Sequence, residues 1–169
     1  MERNNIILIG MPASGKSTVG VILAKVLGMD FIDADIVIQQ RENSRLSCII
    51  DERGIDGFLK CEEQAILSIN AHNTVVATGG SAVYSEAAMK HLAEGSRIVY
   101  LKVPKSVLMK RLRNIKERGV VLRPGESLED MFDARSRLYE KYADITVSEE
   151  GASIENTLDA VRKALSIVS

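Results

Sequence analysis

The chain has 169 residues, a formal net charge of −1 and two cysteines. Hydrophobic residues make up 46% and charged residues 27%, which suits one compact soluble domain and excludes disorder, a collagen-like chain and a disulfide scaffold. Near-neutral charge gives no global case for binding nucleic acid or membrane.

In chain order, Ile6 to Ile9 is a short apolar run of β-branched character, which predicts a buried strand. It is far too short for a signal peptide or a membrane span. A glycine-bounded loop, Gly10 to Gly15, follows. Val19, Ile22, Leu23, Val26 and Leu27 then fall at helical spacing, with Gly28 placed as the helix C-cap. Phe31-Ile32 starts a second strand that ends in Asp33-Ala-Asp35. Leu46 to Glu52 and Asp56 to Asn70 read as helices separated by Gly54. Thr74 to Ala77 is a third strand, ending in Thr78-Gly79-Gly80, and Arg97 to Leu101 a fourth. Pro104 suits the first turn of a helix reaching about Gly119. Ser127 can cap another, reaching about Tyr142. Ile145 to Val147 is a fifth strand, and Ile154, Leu158, Val161, Leu165 and Val168 form the apolar stripe of a last helix.

Strands alternating with helices predict an α/β fold: a five-stranded parallel sheet covered on both faces. No internal repeat or flexible linker divides the chain, so residues 1–169 read as a single domain. Two stretches break the rhythm and read as insertions over one sheet edge, 34–70 and 112–126. Cys48 and Cys61 lack metal-ligand spacing and read as reduced thiols, so a cytoplasmic location is expected. His72 and His91 read as surface or helix-end residues rather than catalytic ones.

The near-zero charge hides a segregation. From Lys102 to Arg123 there are eight cations and one anion, +7 in 22 residues, while the other 147 residues carry −8. Such a run can be a solvated helix face or a local site for a polyanion.

Gly10-Met-Pro-Ala-Ser-Gly15-Lys16-Ser17 matches the phosphate-loop pattern G-x-x-x-x-G-K-[ST], between an apolar strand and an amphipathic helix. Its glycines let successive N–H groups turn toward phosphate oxygens, and the helix N-terminus adds its positive dipole end. Lys16 reaches the β- and γ-phosphates, and Ser17 completes a Mg²⁺ shell. The pattern says ATP-like nucleotide and Mg²⁺, and is silent on what receives the phosphate.

Asp33 and Asp35 lie at the carboxyl end of the second strand, the edge that faces ligand in an open parallel sheet. If the segment stays extended, alternation puts both on one side, one for Mg²⁺ and one for the proton of an attacking hydroxyl. The bland reading is a helix N-cap. Arg135 falls in the apolar stripe of Leu128, Met131, Phe132, Tyr139 and Tyr142, with Arg137 on the opposite, solvated side. A guanidinium there must be paired. Its partner is either a structural carboxylate or a carboxylate or phosphate of the substrate.

With these residues in view, the chain resembles the shikimate kinases over almost its whole length. The resemblance is carried by the phosphate loop, Phe31 to Asp35, Gly54 to Glu62, Thr78-Gly79-Gly80, Arg123-Pro124 and Arg135-Ser-Arg-Leu138-Tyr139. It implies a nucleoside-monophosphate-kinase-like P-loop fold, ATP as donor, and a hydroxyl of a small carboxylated ring as acceptor. It also implies nucleotide contacts from Gly10, Pro12, Ala13, Ser14, Gly15, Lys16, Ser17 and Thr18. Mg²⁺ would be served by Ser17 and Asp33. Asp35 would bind substrate hydroxyls and act as base, Gly79 and Gly80 would lie against the substrate, and Arg135 would grip its carboxylate. Arg123 and Lys116 would close over the phosphates as a lid, and the +7 segment then reads as the lid and its helix. The 34–70 insertion would bind substrate, and the enzyme is expected to be a monomer.

The acceptor half departs from the family pattern. Leu59 follows Phe58 where the family has an arginine that helps hold the carboxylate, and Glu62, three residues on, is kept without that partner. Lys60 is one residue away, about 100° round a helix, so it is not expected to take over without rearrangement. Ile55 replaces a glutamate, Ser81 a third glycine, and Gly125-Glu126 replace leucines after Arg-Pro. Three readings follow: a kinase acting on shikimate, a kinase acting on another hydroxylated acceptor such as a sugar acid, and a nucleotide-binding module without catalysis. Nucleic-acid binding fits least, since aromatics are 4% and tryptophan is absent.

Overall fold

The computed structural model describes residues 4–112, 120–148 and 153–167. Thirteen elements follow in order: β1 (Asn5–Ile9), α1 (Lys16–Leu27), β2 (Asp30–Asp33), α2 (Ala34–Glu42), α3 (Leu46–Leu67), β3 (Thr74–Ala77), a short 3-10 turn (Ala82–Tyr84), α4 (Glu86–Ala93), β4 (Ser96–Lys102), α5 (Lys105–Leu112), α6 (Leu128–Tyr142), β5 (Ile145–Ser148) and α7 (Ile154–Ile167). Among the described residues, no helix is long and apolar enough to cross a membrane.

The five strands form one sheet in the order β2-β3-β1-β4-β5. Every pairing is parallel, with Ile6 opposite both Val75 and Arg97. Parallel strands need both faces covered, and side chains alternate between them. Ile6, Leu8, Val75, Val99 and Leu101 pack with Val19 and Leu23 of α1 and with Val161 and Leu165 of α7. Ile7, Ile9, Val76, Ile98 and Tyr100 pack on the other side, with Ile66, Met89, Leu108, Met131 and Tyr139 of α3 to α6. β1 is buried on both faces over all five residues. It is the central strand, so the loop leaving its end at Gly10 is held by two neighbours.

Helix ends follow local chemistry. Gly28 closes α1 in the left-handed conformation, its N–H reaching the Ala24 and Lys25 carbonyls. Ser127 and Asp130 form a reciprocal capping box at α6. α3 breaks at Gly54 (φ 67°, ψ −178°), where the sequence separates two helices, and it ends at Leu67 rather than near Asn70. α2 and α3 fill the 34–70 stretch and share a small core of Ile38, Ile49, Phe58, Cys61 and Ala65 with Val121.

Two expectations need correction. β2 stops at Asp33 and α2 begins at Ala34, so Asp33 and Asp35 do not alternate along an extended segment. Asp33 is the N-cap of α2, its carboxylate accepting from the Asp35 N–H at 2.9 Å, and Asp35 sits in the first helical turn. The chain between β3 and β4 also carries a helix, α4, that the sequence pattern leaves unassigned. It is capped by the Ser85 hydroxyl, which accepts from Ala88 N–H.

Candidate active site

The loops leaving the carboxyl ends of β1, β2 and β3 border one crevice of about 240 Å³. Its lining includes Pro12, Lys16, Ser17, Asp35, Gly79 and Arg135. This is the crevice position expected for ligands in an open parallel sheet.

The phosphate loop turns tightly. Gly15 has φ 86°, a conformation open to glycine at little cost, and its carbonyl starts α1 by accepting from Val19 N–H. Lys16 is buried, and its Nζ donates to the carbonyls of Gly10 (2.9 Å) and Met11 (2.7 Å) and to the Ser14 hydroxyl (3.3 Å). Burial brings this lysine down to about 8, against the pull of Asp35, which favours the charged form. Ser17 and Thr18 are exposed at the mouth, where α1 begins. Arg111, on α5, donates from Nη1 to the Ala13 carbonyl at 3.1 Å. In the sequence Arg111 is one cation of the basic run 102–123. Nothing in local spacing signals a contact across 98 residues.

On the acceptor side, Asp35 lines the crevice. Burial, then the neighbouring Asp33, raises its carboxyl above the ordinary range, and Lys16 opposes them. Asp33 is half-buried and keeps its cap bond, outside the crevice lining. Gly79 and Gly80 are required by close approach. A Cβ on Gly79 would collide with Glu62 Oε1 and lie 2.9 Å from Asp35 Oδ1. One on Gly80 would lie 2.7 Å from the Pro12 ring and 3.1 Å from Arg135 Nη1. The Gly80 carbonyl accepts from the Tyr139 hydroxyl at 2.6 Å. Burial pushes that hydroxyl's ionisation well up, so it stays a donor.

Arg135 is 1% exposed. Its Nε donates to the Tyr84 hydroxyl (3.2 Å) and its Nη2 to the Val121 carbonyl (2.6 Å). Among the described residues no carboxylate forms an ion pair with it, so the structural salt bridge left open by the sequence is not found. Both hydrogen-bond acceptors are neutral, and the guanidinium keeps its charge directed at the crevice. Arg137 is exposed, as its position on the helix predicts.

Glu62 is 2% exposed. Its Oε2 accepts from the Ser81 hydroxyl at 2.6 Å, while Oε1 meets no donor among the described residues. Burial raises this carboxyl to about 7, against the Ser81 hydrogen bond that favours ionisation. Leu59 and Lys60 do not line the crevice. They border a second cavity of about 190 Å³, together with Glu63, Tyr84 and Arg123, and Glu62 and Ser81 lie on the wall shared by the two. Arg123 is exposed and stacks its guanidinium over Tyr84 at 5.9 Å, away from the phosphate loop. Lys116 lies outside the described residues.

The chain's relatives can be set beside this geometry. The family model "Shikimate kinase" matches residues 12–166. The chain belongs to the shikimate kinase family. A shikimate kinase of Pasteurella multocida is 38% identical over 162 residues, covering 92% of this chain and 93% of that protein. The solved shikimate kinase of Acinetobacter baumannii, in complex with shikimate, superposes with TM-score 0.84 at 28% identity, covering 95% of this chain and 92% of the other. That of Aquifex aeolicus gives 0.81 at 30% identity, covering 96% of each. The family's P-loop fold is therefore the fold found here.

Proposed function

We propose that this chain transfers the γ-phosphoryl group of ATP to the 3-hydroxyl of shikimate, a step of aromatic amino acid biosynthesis. The observation that carries the reading is one crevice holding the phosphate-loop lysine, the buried Asp35 carboxyl and an arginine with no carboxylate partner among the described residues. A phosphate donor, a proton acceptor and a carboxylate grip are the three things this reaction needs.

Catalysis of phosphoryl transfer is mainly positioning and charge neutralisation. The backbone N–H groups of Gly10 to Ser17 and the start of α1 cradle the phosphates. Lys16 exchanges its loop carbonyls for β- and γ-phosphate oxygens. Asp35 takes the proton of the attacking hydroxyl, and its raised pKa makes it the better base. Arg135 holds the acceptor carboxylate. Arg123 and Lys116 close over the phosphates, and Arg111 flanks the nucleotide through its contact with the loop.

The exposed Ser17 hydroxyl would serve a Mg²⁺ ion directly, and Asp33, which lies outside the crevice lining, would serve it through water, leaving the ion's remaining positions to phosphate and water. Among the described residues there is no cluster of three or more ligating side chains. The ion's chemistry when bound is to neutralise charge on the β- and γ-oxygens.

A second reading, another hydroxylated acid as acceptor, is favoured by Leu59, which leaves Arg135 as the crevice's one guanidinium among the described residues. Losing one charge-assisted contact is worth about 1.5–3 kcal/mol, or roughly ten- to a hundredfold in affinity. A coupled ADP-release assay tests both readings. Turnover is expected with shikimate and should fall about a thousandfold in Lys16→Ala. Activity on a sugar acid, with none on shikimate, replaces the substrate and keeps the mechanism. Turnover surviving in Lys16→Ala removes the lysine's assignment.

A further inference from the structure

Two departures from the family pattern meet at one carboxyl. Glu62 is buried in the wall of the crevice, and residue 59, three positions before it on α3, is leucine. Ser81, where a third glycine is usual, donates its hydroxyl to Glu62 Oε2 at 2.6 Å. That bond fixes one oxygen and leaves the other, Oε1, without a donor and turned toward Gly79. The space a Cβ on Gly79 would fill is bounded by Glu62 Oε1 on one side and Asp35 Oδ1 on the other. The two carboxyls thus flank one point of the acceptor crevice.

A buried carboxyl oxygen with no partner is costly unless something in the functional state satisfies it. Among the described residues nothing donates to Oε1, and Glu62 belongs to the lining of the crevice that also holds Asp35 and Arg135.

We propose that Glu62 is a specificity-determining residue of this kinase. Its Oε1 hydrogen-bonds the acceptor hydroxyl adjacent to the one attacked, and Ser81 is the positioning residue that holds it there. The proposal rests on the shikimate-phosphorylating reading above. With attack at the 3-hydroxyl, the partner of Glu62 is the 4-hydroxyl.

The test measures KM and kcat for shikimate, 4-deoxyshikimate and 5-deoxyshikimate in the wild type, Glu62→Gln, Glu62→Ala and Ser81→Ala, with KM for ATP alongside. Glu62→Ala should raise the shikimate KM roughly tenfold or more, with ATP KM unchanged. Ser81→Ala should give a smaller rise of the same kind. The decisive result is that both penalties vanish on 4-deoxyshikimate and persist on 5-deoxyshikimate. Penalties equal on all three acceptors, or vanishing on the 5-deoxy compound instead, overturn the proposal. So do variants with unchanged KM. Glu62→Gln keeps the side chain's shape, so if Glu62→Ala fails to fold, Gln carries the same comparison. A wild type inactive on shikimate overturns the functional reading and this inference with it. An active wild type with indifferent variants overturns the inference alone.

Discussion

The two sides of the crevice solve the same electrostatic problem differently. On the nucleotide side, the buried Lys16 ammonium has three acceptors from its own loop, and the motif that supplies them is contiguous from Gly10 to Ser17. On the acceptor side, a buried carboxyl has one donor from a residue 19 positions away and one oxygen left over, and a buried guanidinium rests on neutral groups. The nucleotide side is a local unit, contiguous in sequence. The acceptor side is gathered from α2, α3, α6 and the turn after β3. A residue of that set, such as Ser81, can be exchanged without touching the phosphate loop.

The sharpest way to break that division is at the residue that bridges it. Asp35→Asn should lower kcat by about 10²–10⁴, the range for a general base, while nucleotide affinity stays close to that of the wild type. Equal losses in both would mean the two sides are not separable.

The next effect concerns stability against pH. Glu62 carries a folded-state pKa of about 7, above the 4.5 of an exposed glutamate. The folded state therefore binds the proton more tightly, and the contribution is fully present below pH 4.5 and lost as pH rises through about 7. The change is on the order of 3 kcal/mol across that window. Glu62→Gln should lack this slope, so the two unfolding midpoints should converge or cross between pH 4.5 and 7 in denaturant titrations. Parallel curves would show that burial of this carboxyl carries no penalty.

Gly79→Ala comes third. The added methyl meets both carboxyls, so overpacking should cost about 1–3 kcal/mol in thermal unfolding and weaken acceptor binding, with ADP binding retained. The smallest effect is the most informative about the departure itself. Leu59→Arg puts a cation on the wall next to Glu62, and the shikimate KM should fall by up to about tenfold, a gain near 1.4 kcal/mol. If the KM does not fall, the second cavity is too far from the acceptor for residue 59 to take part.

Much of this was readable from the residues. The β1–loop–α1 unit, the Gly54 break, the Ser127 cap and the burial of Arg135 all arise from local spacing or from the face of a single helix. What escaped depends on where the backbone turns. Asp33 and Asp35 look like an alternating pair only if the strand continues, and the cap bond from Asp33 to Asp35 N–H ends it between them. α4 is eight residues long, too short for a repeated stripe to announce it. The Ser81–Glu62 bond joins residues from a helix and a loop, and no period links them. Arg123 matches a family lid motif, yet its stack on Tyr84 is a tertiary contact that no spacing encodes.

Tyr84 deserves a last consideration, for it touches both arginines of the acceptor side. Its ring faces the Arg123 guanidinium at 5.9 Å and that of Arg135 at 5.2 Å, and its hydroxyl accepts from Arg135 Nε. One aromatic ring thus serves as a common berth for an exposed cation and a buried one, whose like charges would otherwise repel across that gap. A movement of the Arg123 guanidinium off the ring would change the surroundings of the buried Arg135 charge with no shift of the sheet required.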